Sequence, residues 1–539
     1  MTLRSRDRLW AIAVGACVCI GLWLRVHDLG AEGFADDEVH KWLAANRYLH
    51  GDFGGDDVEH PMLMKWLIAL AVAVSPRDWA PEVLTRLPNA IVGALTVGLV
   101  ALLGRKLFGR LAGGLAAALA AVSPTFIGYQ RVAKEDTLVC AFLLLMLWCL
   151  ACAAEGRRRL EVAAALSLSG MLASKYYFFF APLPLIVYAS LRAPLGWHIP
   201  LRRWAQLCAI AAVAWLAINW TPLMPSTWAY LRDHAAGRHV ATPSFYFMGS
   251  LYSSLPLQLL DGVPPWFYVV FAFAKLTPLV FALALSGIAL SLRRAGPGQR
   301  IALVWIAFWY ATWMLSGAKY GRYFLSVLPA FLLFAAHALA EAFEGARRWV
   351  SASHDALPAP LQVAIAPVFA VVLGVPLTLA AAAVGGEARA ALELGPHSRM
   401  YVSPLAGGEN RLDWLFPHCD YFDAGLREAV QYVSAHAEPG AEIATEIDLP
   451  ARFYARPDLR VSVLRPGEAC GGSSVCYTIV QPGRIYRHNQ SLLEKLSRDR
   501  PWHVERIRGH AAATVYRSMP ASASTAGSAP RGGAPGGQH

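Results

Sequence analysis

The sequence has no G-x-x-x-x-G-K-[ST] loop and no dinucleotide-binding glycine fingerprint. The usual cradles for a nucleotide phosphate are therefore missing, and ATP-driven transport is excluded with them. Charge is scarce: 16% of the residues are charged and 56% are hydrophobic, over 539 positions. A soluble protein of this length cannot bury so much apolar surface, and a bare membrane bundle carries less charge. The balance fits a polytopic membrane protein with a soluble part. Charge is scarcest in the middle of the apolar runs, where a coupled transporter places its ion ligands. Cysteine is also scarce. Cys17, Cys19, Cys140, Cys149, Cys152 and Cys208 belong to hydrophobic runs and read as packing residues. Cys419, Cys470 and Cys476 remain for the soluble part, enough for one disulfide and one thiol, with the pairing left open. There is no internal repeat, and His234 and His239 are wrongly spaced to share a helical face around zinc.

What is present is a series of apolar runs. Taking roughly twenty residues per crossing, about eleven spans are expected. They lie near 9–26, 84–104, 111–128, 137–154, 160–174, 176–191, 204–220, 264–292, 301–317, 323–343 and 361–384. The first follows Arg4, Arg6 and Arg8, and no small-x-small cleavage site follows it, so it reads as a retained helix with a cytoplasmic N-terminus. Net charge is +11. It falls on alternate connections, at Arg105/Lys106/Arg110, Arg157–Arg159, Arg192/Arg202/Arg203, Arg293/Arg294/Arg300 and Arg347/Arg348. That is the positive-inside pattern, so nucleic acid is set aside as a partner. Met62–Val74 is too short to cross and reads as an interfacial or half-buried helix. The expected domains are 1–384 (transmembrane), 385–518 (an extracytoplasmic α/β domain) and 519–539, a Gly/Ser/Pro/Ala tail expected to be disordered. In the second domain, Asp423–His436 and Arg484–Leu496 read as helices. Glu442–Ile447, Arg460–Leu464, Val475–Val480 and Thr514–Arg517 read as strands.

The loop after the first span carries Asp36-Asp37-Glu38, then Glu59-His60-Pro61 and Lys65. Three carboxylates before a helix-like stretch serve either as caps favoured by the helix dipole or as a base or metal site. A divalent metal ion is left open at Asp37 and Glu59. Further cations stand at extracytoplasmic ends, where the charge rule disfavours them: Arg86, Arg131, Lys175, Lys319 and Arg322. Singly each reads as an interfacial anchor; as a set with His60 and Lys65 they read as the site of a shared anion. Asp136 stands among them as an ion-pair partner or second catalytic carboxylate.

In its order of motifs the chain resembles the protein O-mannosyltransferases and their bacterial relatives, including the aminoarabinose transferases, all in the GT-C class. The resemblance spans roughly 8–345. The family's Asp-Glu pair matches Asp37-Glu38. Its His-Pro-Pro-Leu-x-Lys matches His60-Pro61-Met62-Leu63-Met64-Lys65, with the second proline missing. Its Ser-Arg-x-x-x-x-Asp matches Gln130-Arg131 through Asp136, with Gln in place of Ser. The connection 221–263 is too short for the sugar-binding-like insert of eukaryotic members, which points to the bacterial branch.

The resemblance implies an inverting glycosyltransferase. A sugar would move from a polyprenyl-phosphate donor to an acceptor hydroxyl on a protein, lipid or glycan, at the outer face of a bacterial inner membrane. Asp37 would be the base, Glu38 and Asp136 would orient it or bind a metal, and His60, Lys65, Arg86, Arg131, Lys175, Lys319 and Arg322 would bind the donor phosphate. The competing readings are a flippase for the lipid-linked sugar and a non-catalytic lipid-binding relative.

Overall fold

The computed structural model describes residues 3–53, 60–236, 244–255, 260–464 and 475–519. The chain forms two compact units: 1–31 with 40–420, and 32–39 with 421 onward.

The first unit is helical. Its elements are α1 (Leu3–Val26), most of α2 (Asp36–Leu49), α3 (Leu63–Val74), α4 (Pro81–Phe108), α5 (Arg110–Val122), α6 (Pro124–Gln130), α7 (Asp136–Ala153), α8 (Leu160–Ser174), α9 (Leu183–Leu195) and α10 (Leu201–Ile218). There follow α11 (Pro225–Ala235), a hairpin of β1 (Ser244–Phe247) and β2 (Ser250–Ser253), α12 (Phe267–Lys275), α13 (Pro278–Arg293), α14 (Pro297–Met314), α15 (Leu328–Ala356), α16 (Ala359–Ala364), α17 (Ala366–Leu394), α18 (Leu412–Leu415) and α19 (Pro417–Tyr421). Among the described residues seven segments are long and apolar enough to cross a membrane, with an eighth if α5 and α6, bent by 59°, are taken as one span. The helices α3, α8 and α13 are apolar but shorter.

The expected spans 111–128 and 264–292 are each broken at a proline. Pro124 offers no N–H to the Ala120 carbonyl, and Arg25 of α1 donates to it instead at 3.1 Å. The expected span 264–292 is two helices, α12 and α13. Pro278 leaves the Ala274 carbonyl to the Ser403 N–H (2.7 Å), and Glu387 of α17 accepts from the Thr277 hydroxyl at 2.7 Å. The Thr125 hydroxyl, just past the first break, donates to the Lys275 carbonyl at the second. Helix α13 can approach α15 closely because a Cβ on Gly287 would collide with the Phe334 carbonyl.

The short helix α3 buries Met64, Lys65, Ile68, Ala69 and Ala71. It packs with Ala45, Tyr48, Ala133 and Leu138 in one apolar cluster, closed by Phe53, Trp66 and Trp220.

The first unit runs on to Asp420, past the expected boundary at 384, for a specific reason. Lys275 donates to the carbonyls of Arg399 and Tyr401 and pairs with Asp420 at 2.6 Å, which ties 395–420 back to the helices.

The second unit carries a five-stranded sheet in the order β4-β3-β5-β7-β6. Strand β3 (Glu442–Thr445) runs parallel to β4 (Arg460–Val463) and β5 (Cys476–Val480); β7 (His510–Ser518) is antiparallel to β5 and to β6 (His503–Ile507). Helix α20 (Leu426–His436) covers one face through Leu426, Val430 and Val433, against Ile443, Tyr477 and Val515. Helix α22 (Gln490–Leu496) covers the other with Leu492 and Leu496. Helix α21 (Asp448–Tyr454) and strand β6 were not expected. Cys476 is disulfide-bonded and Cys419 is a free thiol; Cys470 lies outside the described residues, as does the tail from 520.

Candidate functional site

The turn 131–136 between α6 and α7 organises the polar interior of the first unit. Asn89 of α4 holds it by donating to the carbonyls of Val132 and Lys134 (2.8 Å to the latter). Two consecutive carboxylates then point into buried surroundings. Glu135 pairs with Lys41 at 3.1 Å, both side chains fully buried, and His60 Nε2 lies 3.7 Å away. Asp136 opens α7, where the helix dipole favours an anion. Lys175 Nζ lies 3.1 Å from both its oxygens, Arg322 Nε 3.7 Å from Oδ2, and the Tyr177 hydroxyl 3.5 Å from Oδ1.

Tyrosines line these cations. The Lys175 ammonium stands 4.8 Å from the centre of the Tyr177 ring and 4.5 Å from that of Tyr323; the Arg322 guanidinium lies 4.3 Å over Tyr320. Trp313 stacks on Tyr323 at 4.3 Å and fixes its plane. Burial lowers the pKa of Lys175, and Asp136 offsets part of that. Burial, then the positive charge of Arg322, pushes Lys134 well below its ordinary value. Burial works against the charge on Arg322 too, but Tyr323 and Asp136 outweigh it and the pKa is raised. Burial raises Tyr177, Tyr320 and Tyr323, so they remain neutral hydroxyl donors. Lys41, Lys175 and Arg322 outnumber Glu135 and Asp136 in this region. A multiply charged oxyanion such as a phosphate monoester is the ligand such an excess favours.

The structure thus brings together Asp136, Lys175 and Arg322 of the expected set, with His60 beside Glu135. It places the others differently. Arg131 was expected on the donor phosphate. Its guanidinium instead donates to the carbonyls of Leu24, Arg25, His27 and Asp28, capping the C-terminus of α1. Arg86 reaches the next carbonyl, Leu29, at 3.1 Å. Lys319 donates to the carbonyls of Val263 (2.7 Å) and Ser316, and burial lowers its pKa to about 8. Lys65 is 2% exposed and donates to the His60 carbonyl at 3.0 Å. Each answers a main-chain carbonyl that a turn or helix end leaves without an intrahelical donor.

The acidic run belongs to the second unit. Helix α2 begins at Asp36, and the Glu38 carboxylate turns back to accept from the Ala35 N–H at 3.0 Å, one half of a capping box. Glu38 is fully buried, and its carboxylate serves as a cap on this turn. Asp36 donates its N–H to Asp423. Asp37 remains partly exposed in the first turn. Among the described residues no three His, Cys, Asp or Glu side chains gather as a metal group, and Glu59 lies outside them.

Sequence reasoning missed Lys41, Lys134, Glu135 and the three tyrosines. Glu135 and Lys134 stood inside a stretch already singled out, and only burial separates them from surface charge. Lys41 resembles any solvated helix lysine.

Residues 59–221 match the family of dolichyl-phosphate-mannose-protein mannosyltransferases. No curated protein matches the chain. In fold it is similar to ArnT from Cupriavidus metallidurans in the apo state: 16% identity, TM-score 0.52, 95% of this chain and 98% of that one. The same ArnT bound to undecaprenyl phosphate gives 14%, 0.51, 95% and 98%. The Archaeoglobus fulgidus oligosaccharyltransferase gives 13% identity over 84% of this chain and 64% of that one, with a TM-score of 0.48. The chain is thus similar over 59–221 to the mannosyltransferase family, around the 60–65 and 131–136 motifs, and its helical spans and C-terminal sheet domain give it a multi-span membrane fold like that of ArnT.

Proposed function

We propose that the protein transfers a sugar from a polyprenyl-phosphate donor to an acceptor hydroxyl, on the extracytoplasmic face of a bacterial plasma membrane. The observation that carries this reading is the buried pair of cations, Lys175 and Arg322, that converges on Asp136. The leaving group of such a transfer is a lipid phosphate, whose charge grows as the anomeric C–O bond breaks. Fixed cations in a low-dielectric interior stabilise that growth without reorganising. The lipid tail stays among apolar spans. ArnT, similar in fold, has been seen with undecaprenyl phosphate, which supports a lipid-phosphate donor here. The distribution of the basic links supports this side of the membrane, since links rich in Lys and Arg favour the cytoplasm.

Asp37 is the proposed base. It accepts the hydroxyl proton as the acceptor oxygen bonds to the anomeric carbon, and the lipid phosphate departs from the opposite face with inversion. A carboxylate is too weak to ionise an alcohol in advance, so proton and bond move together. Asp136 positions Lys175 and Arg322 instead of taking a proton. The sugar, prenyl length and acceptor stay open among protein, lipid and glycan.

The test is release of free polyprenyl phosphate from labelled polyprenyl-phosphate sugars by purified protein, with membrane extract supplying acceptors. Release is expected. No release from any donor, with headgroup binding intact, would make the protein a flippase or lipid binder. Lys175→Met should weaken donor binding about tenfold or more, because it removes one charge-assisted contact and leaves Asp136 less balanced. Unchanged donor affinity in a folded Lys175→Met protein would remove Lys175 from the anion site.

A further inference from the structure

We propose that Arg484 and Asp423 of the α/β unit are positioning residues for Asp37: they clamp the first turn of α2. The catalytic part of this proposal rests on reading Asp37 as the base; the clamp itself rests on geometry alone.

Residues 32–39 are folded into the second unit, far in sequence from the rest of it. Several contacts hold them. Phe34 is fully buried, edge-on to Phe453, and its N–H donates to the Tyr454 hydroxyl at 2.7 Å. A Cβ on Gly33 would collide with Arg427. The Asp36 N–H donates to Asp423 Oδ2 at 3.1 Å. Arg484 grips Asp423 with two hydrogen bonds, Nε to Oδ1 at 2.6 Å, and reaches within 3.9 Å of the Asp36 carboxylate.

The clamp has its own support. Asn489 donates to the Arg484 carbonyl (2.8 Å) and to Glu446 (2.6 Å), and its Oδ1 accepts from the Tyr486 N–H. Glu446 directly follows β3, and Arg484 closes the turn after β5, so both stand at carboxyl ends of the parallel strands. Phe422 and Asp423 adopt left-handed φ angles of 46° and 66°, costly for residues that are not glycine. Such a conformation persists where surrounding bonds over-determine it, and the two bonds from Arg484 do so here.

The chemistry explains why a clamp is needed. The first turn of a helix has N–H groups with no intrahelical acceptor, and Asp423 and Glu38 supply two from outside the ladder. That puts several carboxylates close together, and Arg484 is the cation that makes the crowding tolerable. Without it the first turn would both loosen and gain uncompensated negative charge. A base displaced by about 1 Å loses on the order of 100-fold in rate. Uncompensated negative charge favours protonation of the neighbouring carboxylates.

The experiment compares the full-length protein with Arg484→Gln, Arg484→Lys and Asp423→Asn. Arg484→Gln should lower kcat about tenfold to 100-fold while donor KM changes less than about threefold. It should also move the acid limb of the pH–rate profile upward by about half a unit or more. Arg484→Lys keeps the cation and should restore the limb, with kcat only partly recovered because a lysine cannot make the paired bonds. Hydrogen exchange reads the clamp without activity: residues 32–39 should exchange about tenfold faster in Arg484→Gln, with β6 and β7 unchanged. Wild-type kcat and pH profile in Arg484→Gln would overturn the positioning role. Unchanged exchange at 32–39 would overturn the clamp. If Arg484→Gln does not fold, Asp423→Asn, which retains one acceptor oxygen, carries the same readouts at smaller amplitude. If the wild-type protein transfers nothing, the catalytic half falls with the proposed function and the exchange result still decides the clamp.

Discussion

Asp37→Asn should reduce turnover by about 10²- to 10⁴-fold while leaving donor affinity within about threefold, the signature of a lost general base. The substitution is nearly isosteric, and the folded state should survive it. A carboxylate in a helix's first turn contributes only about 0.3–1 kcal/mol through the dipole, and Asp36 and Glu38 stand in the same turn. The informative companion is Glu38→Gln. The Glu38 carboxylate accepts from the Ala35 N–H inside a buried cap. A glutamine oxygen accepts the same bond, so turnover should fall by less than about fivefold, with a stability loss of about 1 kcal/mol. Single-turnover release of polyprenyl phosphate, with donor binding measured separately, distinguishes the two. A silent Asp37→Asn beside an inactive, folded Glu38→Gln would reverse the assignment.

Arg131→Met should destabilise the protein by about 3–5 kcal/mol without weakening donor binding in the molecules that stay folded. The guanidinium donates to four carbonyls at the end of α1, and Arg131 is only 6% exposed. Removing it leaves those carbonyls facing protein instead of water, each worth about 1–3 kcal/mol before relaxation. The cation also sits where the helix dipole favours it. Arg131→Lys should recover less than half of the loss, because an ammonium cannot span the fork of acceptors from Leu24 to Asp28. Unfolding in detergent, followed by tryptophan fluorescence with and without polyprenyl phosphate, gives both numbers. A stable Arg131→Met protein with weakened lipid-phosphate binding would return Arg131 to the anion site.

These two cases show where the sequence was legible. Apolar runs mark membrane helices well, because roughly twenty such residues have no other common use. The strands β3, β4 and β5 were located to within a residue or two, since short β-branched runs between turns have a clear signature. Edge strand β6, reading His503-Val-Glu-Arg-Ile507, was missed because two charges interrupt its alternation. Prolines 124 and 278 were visible, yet whether a proline bends a span or ends it depends on who satisfies the freed carbonyl. That partner, Arg25 or Ser403, lies on the order of a hundred residues away in sequence.

The charged residues divide in the same manner. Basic groups at the span ends expected to face outward were singled out as unusual, but two physical causes produce that pattern. Lys175 and Arg322 converge on Asp136, whereas Arg86, Arg131, Lys65 and Lys319 answer main-chain carbonyls. A sequence records a cation's position and not its acceptor, so nothing in the spacing separates the two groups. The acidic triplet was ambiguous for a related reason: capping and catalysis both recruit carboxylates to the start of a helix, and this turn has carboxylates beyond those that cap it.

The two broken helices carry a consequence for how the protein is made. The first is completed by Arg25 of α1; the second is capped by Glu387 of α17. A translating chain therefore inserts an arginine into lipid before its acceptors exist, and later inserts a split helix whose cap has yet to be synthesised. The first break can close once α1, α5 and α6 are in the bilayer, whereas the second waits for α17 and the segment after it. Folding of this unit is then completed late, and truncation before α17 should leave the second break uncapped.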